Sequence, residues 1–231
     1  ADFPHYLMHR AEQLDNLYIF KNTEGTPENI RKFHPNIIVS STGSAPLLPP
    51  IAGLKDRIDN ENHNIYSILG MISHINDFPK DLEGKKVVVV GGGAVGLDVV
   101  EFFADRNADI SIVEMMDQIG RDLDPVSKND TKTMMKKHNV HQLTKTALLE
   151  VKDSSFLVRG DGEPYELPFE YGFVCLGMRA QGQLYQSLTE EFSSEDVEIM
   201  NIGDSQRARR IIDGTQEGRN ILTILEQKGY L

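Results

Sequence analysis

Glycines stand at 91, 93 and 96, directly after the apolar run Val87–Val90, and an acid, Glu114, closes the next apolar run about twenty residues on. Three glycines at that spacing suit a turn whose backbone must grip an anion. Gly91 permits the tight reversal, Gly93 lets the main chain approach a diphosphate, and Gly96 lets a following helix pack close. Gly92, Ala94 and Val95 complete the loop. The helix that starts there offers free N–H groups and the positive end of its dipole to the diphosphate. A carboxylate at Glu114 accepts hydrogen bonds from ribose hydroxyls and repels a 2′-phosphate, which favours NAD(H) over NADP(H). Arg121 points the other way, since a guanidinium there suits that phosphate. A purely structural strand–helix–strand unit with a solvated Glu114 satisfies the same spacing.

The surrounding elements must place that loop. Lys85–Val113 reads as strand, turn, helix and strand: "KVVVV" has the character of a parallel strand buried on both faces. The helix carries Val95, Val99, Phe102 and Phe103 at helical spacing. A helix is expected over 125–138 and a strand over 139–143. Short alternating segments follow, "ALLEVKD", "SFLVRG", "EPYELPF" and "YGFVCLG", with Asp161-Gly162 as a hairpin turn. Upstream, residues 5–14 read as weakly helical, "NLYIF" as a short strand, and 26–33 as a helical turn capped by Thr26 with Pro27 first. A strand is expected from 36 and a helix over 65–76. The polar stretch 77–85, broken by Pro79 and Gly84, reads as a domain boundary. Near the C-terminus, 196–204 reads as a strand and 207–229 as mainly helix.

Composition narrows the classes of function. The net charge of −11 disfavours nucleic acid and anionic membranes. Cys175 is the only cysteine, which excludes an internal disulfide and a four-cysteine iron–sulfur cluster. It sits in an apolar run, as a small buried side chain does. His138 and His141 lie across a helix-to-strand break, a poor metal pair, so no metal site and no acid–base catalytic residue is expected. The simplest compartment is the cytoplasm.

Three segments carry a resemblance. "IIVSSTGSAPLLPPI" (37–51), "FVCLGMRAQ" (173–181) and "VEIMNIGDSQRARRIIDGTQEG" (197–218) resemble, in order and spacing, the glutathione-reductase-like flavoproteins that bind two dinucleotides. The start "GKKVVVVGGGAVGLDVVEFFADR" and the tail are most similar to the C-terminal parts of 2-enoate and 2,4-dienoyl-CoA reductases. This resemblance implies an α/β fold: a Rossmann-like NAD-binding domain with a β-meander (84–180), inserted in a partial FAD-binding domain (1–83 and 181–231). It implies NAD near Gly91–Gly96, Asp98, Glu114, Arg121 and Gly177, with Asp98 standing where many relatives have Glu. Thr42, Gly43, Gly203 and Asp204 would lie near FAD, although a tight turn and cap explain Gly203-Asp204 equally well, and a loop glycine explains Gly177. In such proteins an N-terminal FMN barrel and an iron–sulfur region complete the electron path from NAD(P)H. Neither those cysteines nor a second G-x-G-x-x-G is present, so the chain is expected to be a fragment that passes hydride from NADH to FAD only in its parent protein. The rival is a non-catalytic ADP-binding module of the trimethylamine-dehydrogenase type; a pure interaction scaffold fits the intact glycine turn least.

Overall fold

The computed structural model describes residues 2–230. In chain order these form α1 (Asp2–Glu12), α2 (Pro27–Arg31), β1 (Ile37–Ser40), β2 (Ser44–Pro46), α3 (Leu54–Arg57), β3 (Ile65–Tyr66), α4 (Ile68–Ser73) and β4 (Lys86–Val90). Next come α5 (Ala94–Ala104), β5 (Asp109–Val113), α6 (Pro125–Lys137), β6 (His141–Leu143), β7 (Ala147–Val151), β8 (Ser155–Arg159) and β9 (Tyr165–Pro168). The chain ends through β10 (Tyr171–Val174), β11 (Met178–Ala180), α7 (Gln183–Glu191), β12 (Glu198–Asn201), a short 3₁₀ turn at Gly203–Ser205 and α8 (Ile211–Gln227).

Five strands pair in the order β3-β10-β4-β5-β6, all parallel. The strand β4 shows why its sequence is a continuous valine run. Successive side chains point to opposite faces, and both faces are covered. Val87 and Val89 pack with Val99, Val100 and Phe103 of α5, while Val88 and Val90 pack with Val151, Phe156 and Val158 of the β7-β8-β9 meander. All four valines are buried, each contributing roughly 1.5–3 kcal/mol. On α5 the expected stripe holds at Val99 and Phe103. Val95 and Phe102 are only half-buried, and Leu97 and Val100 take their places in the core.

A second unit flanks this one. There β1 and β12 pair in parallel, and Ile38, Leu188 and Phe192 form a small core. Thr26 caps α2 as expected, its hydroxyl accepting the Asn29 N–H. Arg31 then spans to Glu191 and Glu195 of α7 and its flank, and lies over the Phe192 ring. The chain leaves this unit through β2 and returns through β11, and the two crossings pair antiparallel. The parallel-sheet unit is thus an insertion, the α/β arrangement expected.

The expected boundary at 83/84 is corrected. Residues 51–83 pack with the parallel sheet: β3 pairs with β10, Leu54 joins the meander-side core, and Met71, Phe78 and Leu82 join the other. Arg57 also pairs with Asp153 beside the meander, at 2.7 Å. The polar appearance of 77–85 hides Phe78, whose ring meets those of Tyr66, Phe103, Tyr171 and Phe173. The helix expected over 65–76 is likewise split. Ile65–Tyr66 is a strand, Ser67 then caps α4 through the Gly70 N–H, and the Asp59 carboxylate accepts the Ser67 N–H.

"NLYIF" forms no strand. A strand needs a partner for its N–H and C=O groups, and Leu17–Phe20 lie exposed with no ladder among the described residues. The tail helix begins at Ile211 rather than 207. The Asp204 carboxylate accepts the Arg209 N–H, and Arg209 pairs with Glu217, so 206–210 is drawn into an irregular turn.

Candidate dinucleotide site

The glycine turn sits at the C-terminal ends of parallel strands, where open α/β sheets bind ligands. Gly91 has φ +111°, and a Cβ on it would lie 2.1 Å from the Cys175 carbonyl oxygen. A Cβ on Gly96 would lie 1.9 Å from the Gly91 carbonyl oxygen, so α5 can approach its own loop only without a side chain there. Gly93 is different. It precedes α5 in extended conformation, and the nearest atoms to an added Cβ are the Asp122 carboxylate oxygens, at 3.8 and 3.9 Å. The backbone there is open to a visitor. No side chain caps α5, so the first-turn N–H groups of Ala94, Val95 and Gly96 have no intrahelical acceptor.

Glu114 touches the loop. One carboxylate oxygen accepts the Gly92 N–H and the other the Met116 N–H, both at 2.6 Å. Each oxygen retains a further lone pair for a ribose hydroxyl. Two hollows meet at this point. The larger, about 810 Å³, includes Gly91, Val95, Gly177, Asp204 and Arg209 in its walls. The smaller, about 410 Å³, has Gly92, Met116, Gln118 and Arg121. Gly93, Glu114 and Asp122 line both. Apolar side chains, among them Val90, Val113, Leu148 and Leu176, make up much of the larger cleft.

The structure therefore gathers Gly91–Val95, Glu114, Arg121, Gly177 and Asp204 around one opening. Asp98 is not in it: one turn into α5, it faces a separate hollow with Glu101 and Ser127. Burial raises its pKa, with the charge of Glu101 adding to the effect. Thr42 and Gly43 do not line the opening either. The Thr42 hydroxyl donates to the Gln181 carbonyl, and the Gly43 carbonyl accepts the Gln181 N–H, which ties the crossing strands together. Gly203, with φ +66°, donates its N–H to Glu217 and lies against Gly214 of α8, the close approach that explains a glycine inside that helix. Asp204 holds the Ser44 hydroxyl and the Arg209 N–H. Sequence reasoning missed Asp122. The available signal was Gly120, whose N–H donates to the Gly92 carbonyl at 2.7 Å and brings the 115–124 segment onto the glycine turn.

Cys175 is buried beside Gly91, and burial, with the nearby Asp98 charge, pushes its thiol up to about 12. The thiolate is the nucleophile, so iodoacetamide at pH 8 is expected to label the folded chain at least about a hundredfold more slowly than the urea-unfolded chain. The linkage has a definite sign. The folded state keeps the proton above the ordinary value of 9.0 while the unfolded state loses it. This contribution is thus intact below pH 9 and falls by about 1.4 kcal/mol per pH unit from there toward 12. Denaturant melts at pH 8 and 10.5, with Cys175→Ser as reference, check it.

No helix among the described residues is long and apolar enough to cross a membrane. The family model of the pyridine nucleotide-disulphide oxidoreductases matches residues 12–200. A metal reductase from Desulforamulus reducens is 26% identical over 95% of this chain and 36% of its own length. An NADH oxidase from Thermoanaerobacter brockii is 26% identical over 83% of this chain and 28% of its own. The chain thus spans about a third of the length of these curated relatives. Among solved structures, a 2-naphthoyl-CoA reductase complex superposes with a TM-score of 0.70 at 22% identity, over 85% of this chain and 28% of that one, a likeness of fold. With four-fifths of its residues matched by the family model, and with a glycine turn, acid and parallel sheet in the arrangement such proteins use, the chain belongs to the pyridine nucleotide-disulphide oxidoreductases, redox proteins that bind FAD and NAD(P).

Proposed function

We propose that this chain binds NAD(H) on the Gly91–Gly96 turn. Within a larger flavoenzyme of the enoate-reductase type, it would hold the nicotinamide for hydride transfer to FAD. One observation carries this reading: an uncapped helix N-terminus and an acid at the next strand end open together onto a cleft whose far wall holds Asp204 and Arg209. The amides of Ala94 and Val95 would receive the diphosphate, and Glu114 the adenosine ribose. Gly177 and the apolar wall would flank the nicotinamide half and exclude water from it. Bound NADH supplies the hydride; the protein supplies position and electrostatics. No side chain of the cleft is needed as an acid or base.

Flavin fits these residues only in part. Ser44 and Asp204 offer polar atoms on its side, but the sequence contains a single G-x-G-x-x-G, so a second diphosphate cradle is lacking within the chain. The reading therefore assigns the FMN barrel, the iron–sulfur region and the substrate site to parts beyond these residues. It expects the isolated chain to bind NADH without stable flavin or turnover. Calorimetry with NADH, NADPH and ADP tests it. Tighter binding of NADH than of ADP supports a hydride-delivering site, whereas equal affinities favour the ADP module. Glu114→Gln is expected to narrow the preference for NADH over NADPH by about tenfold, because it removes the charge that repels a 2′-phosphate. An unchanged ratio would place the discrimination elsewhere.

A further inference from the structure

We propose that Asp122 is a resident anion at the diphosphate seat, one that weakens nucleotide binding and does so most for nucleotides of higher charge. The inference rests on the NAD(H) reading of the glycine turn. Its carboxylate oxygens lie 3.8 and 3.9 Å from the Cβ position of Gly93, in front of the uncapped end of α5. That is also the narrows between the two hollows, since Asp122 lines both. A ligand with its adenosine beside Glu114 and its other half in the larger cleft must pass its diphosphate there.

The position of Asp122 is set by the fold. Two residues before it, Gly120 donates to the Gly92 carbonyl at 2.7 Å, and one residue before it, the Arg121 carbonyl accepts the Lys128 ammonium at 3.0 Å. No ion pair neutralises the Asp122 carboxylate among the described residues. The helix end favours one anion there. With a diphosphate arriving, two anions compete for the same amides, and like charges a few ångströms apart repel. Because Asp122 is exposed, the repulsion is screened by salt.

Calorimetric titration of the wild-type chain and Asp122→Asn with NADH, NADPH and adenosine, at low and at 0.5 M salt, tests this. Asparagine keeps the shape and removes the charge. The expected result is NADH binding tightened about five- to tenfold at low salt, NADPH tightened more, and both gains reduced at high salt. Adenosine, which has no phosphate, should be unaffected. Unchanged or weaker NADH binding in Asp122→Asn, or an equal gain for adenosine, would overturn the proposal while leaving the NAD(H) reading standing. Failure of both proteins to bind any of the three would remove that reading and this inference together. A circular-dichroism melt confirms that the variant is folded.

Discussion

Gly91→Ala is expected to abolish measurable NADH binding and to destabilise the fold, whereas Gly93→Ala should weaken binding with little effect on stability. The two glycines are adjacent in the motif but face different constraints. At Gly91 a methyl group would meet the Cys175 carbonyl oxygen at 2.1 Å in a backbone of φ +111°. Strain of that kind costs about 1–3 kcal/mol before the collision is counted, and relieving it must shift β4 against β10. At Gly93 the added methyl enters open space in an ordinary extended conformation. Its obstacle is the ligand alone. Thermal melts of the two variants, with NADH titrations of each, separate these effects. Equal stability losses would show that the turn is rigid for reasons unrelated to a nucleotide, while full NADH affinity in Gly93→Ala would remove the diphosphate from this loop.

Phe78→Ala is expected to destabilise the protein by about 3–5 kcal/mol, the range for deleting a buried aromatic ring. The ring is 7% exposed and packs against Phe103, Phe173, Tyr66 and Tyr171. Phe103 and Phe173 are themselves fully buried, so a void at 78 has little freedom to collapse. The result distinguishes two views of residues 77–85. A tether between domains would tolerate alanine within about 0.5 kcal/mol, as surface positions do. A segment that closes the sheet's core would not. Denaturant unfolding of the variant beside Phe20→Ala, an exposed ring of the same type, supplies the comparison.

Much of the site could be read in one dimension because its parts are local. The strand, turn and helix of 86–104 are contiguous, and the alternating valines, glycine spacing and helical period each reflect geometry within a few residues. Glu114 was legible for a related reason, since a strand–helix–strand unit has nearly constant length. Asp98 was misplaced by the same logic. Its position in the motif was right, but helical rotation turns it to a different hollow from the one that Val95 lines. Asp122 was invisible, because a hydrogen bond from Gly120 across to Gly92 brings it to the turn, and no spacing rule encodes that contact.

The amino-acid sequence alone determined the α/β class, the glycine turn with its acid, the meander and the family likeness, all features written in nearest-neighbour sterics and hydrophobic period. Only the tertiary structure decided that residues 51–83 complete the nucleotide unit, that Thr42 and Gly43 serve the crossing strands, and that an aspartate faces the diphosphate seat. Those outcomes depend on which distant backbone groups pair and which faces are left to cover one another, and such pairings are settled by the whole packed chain.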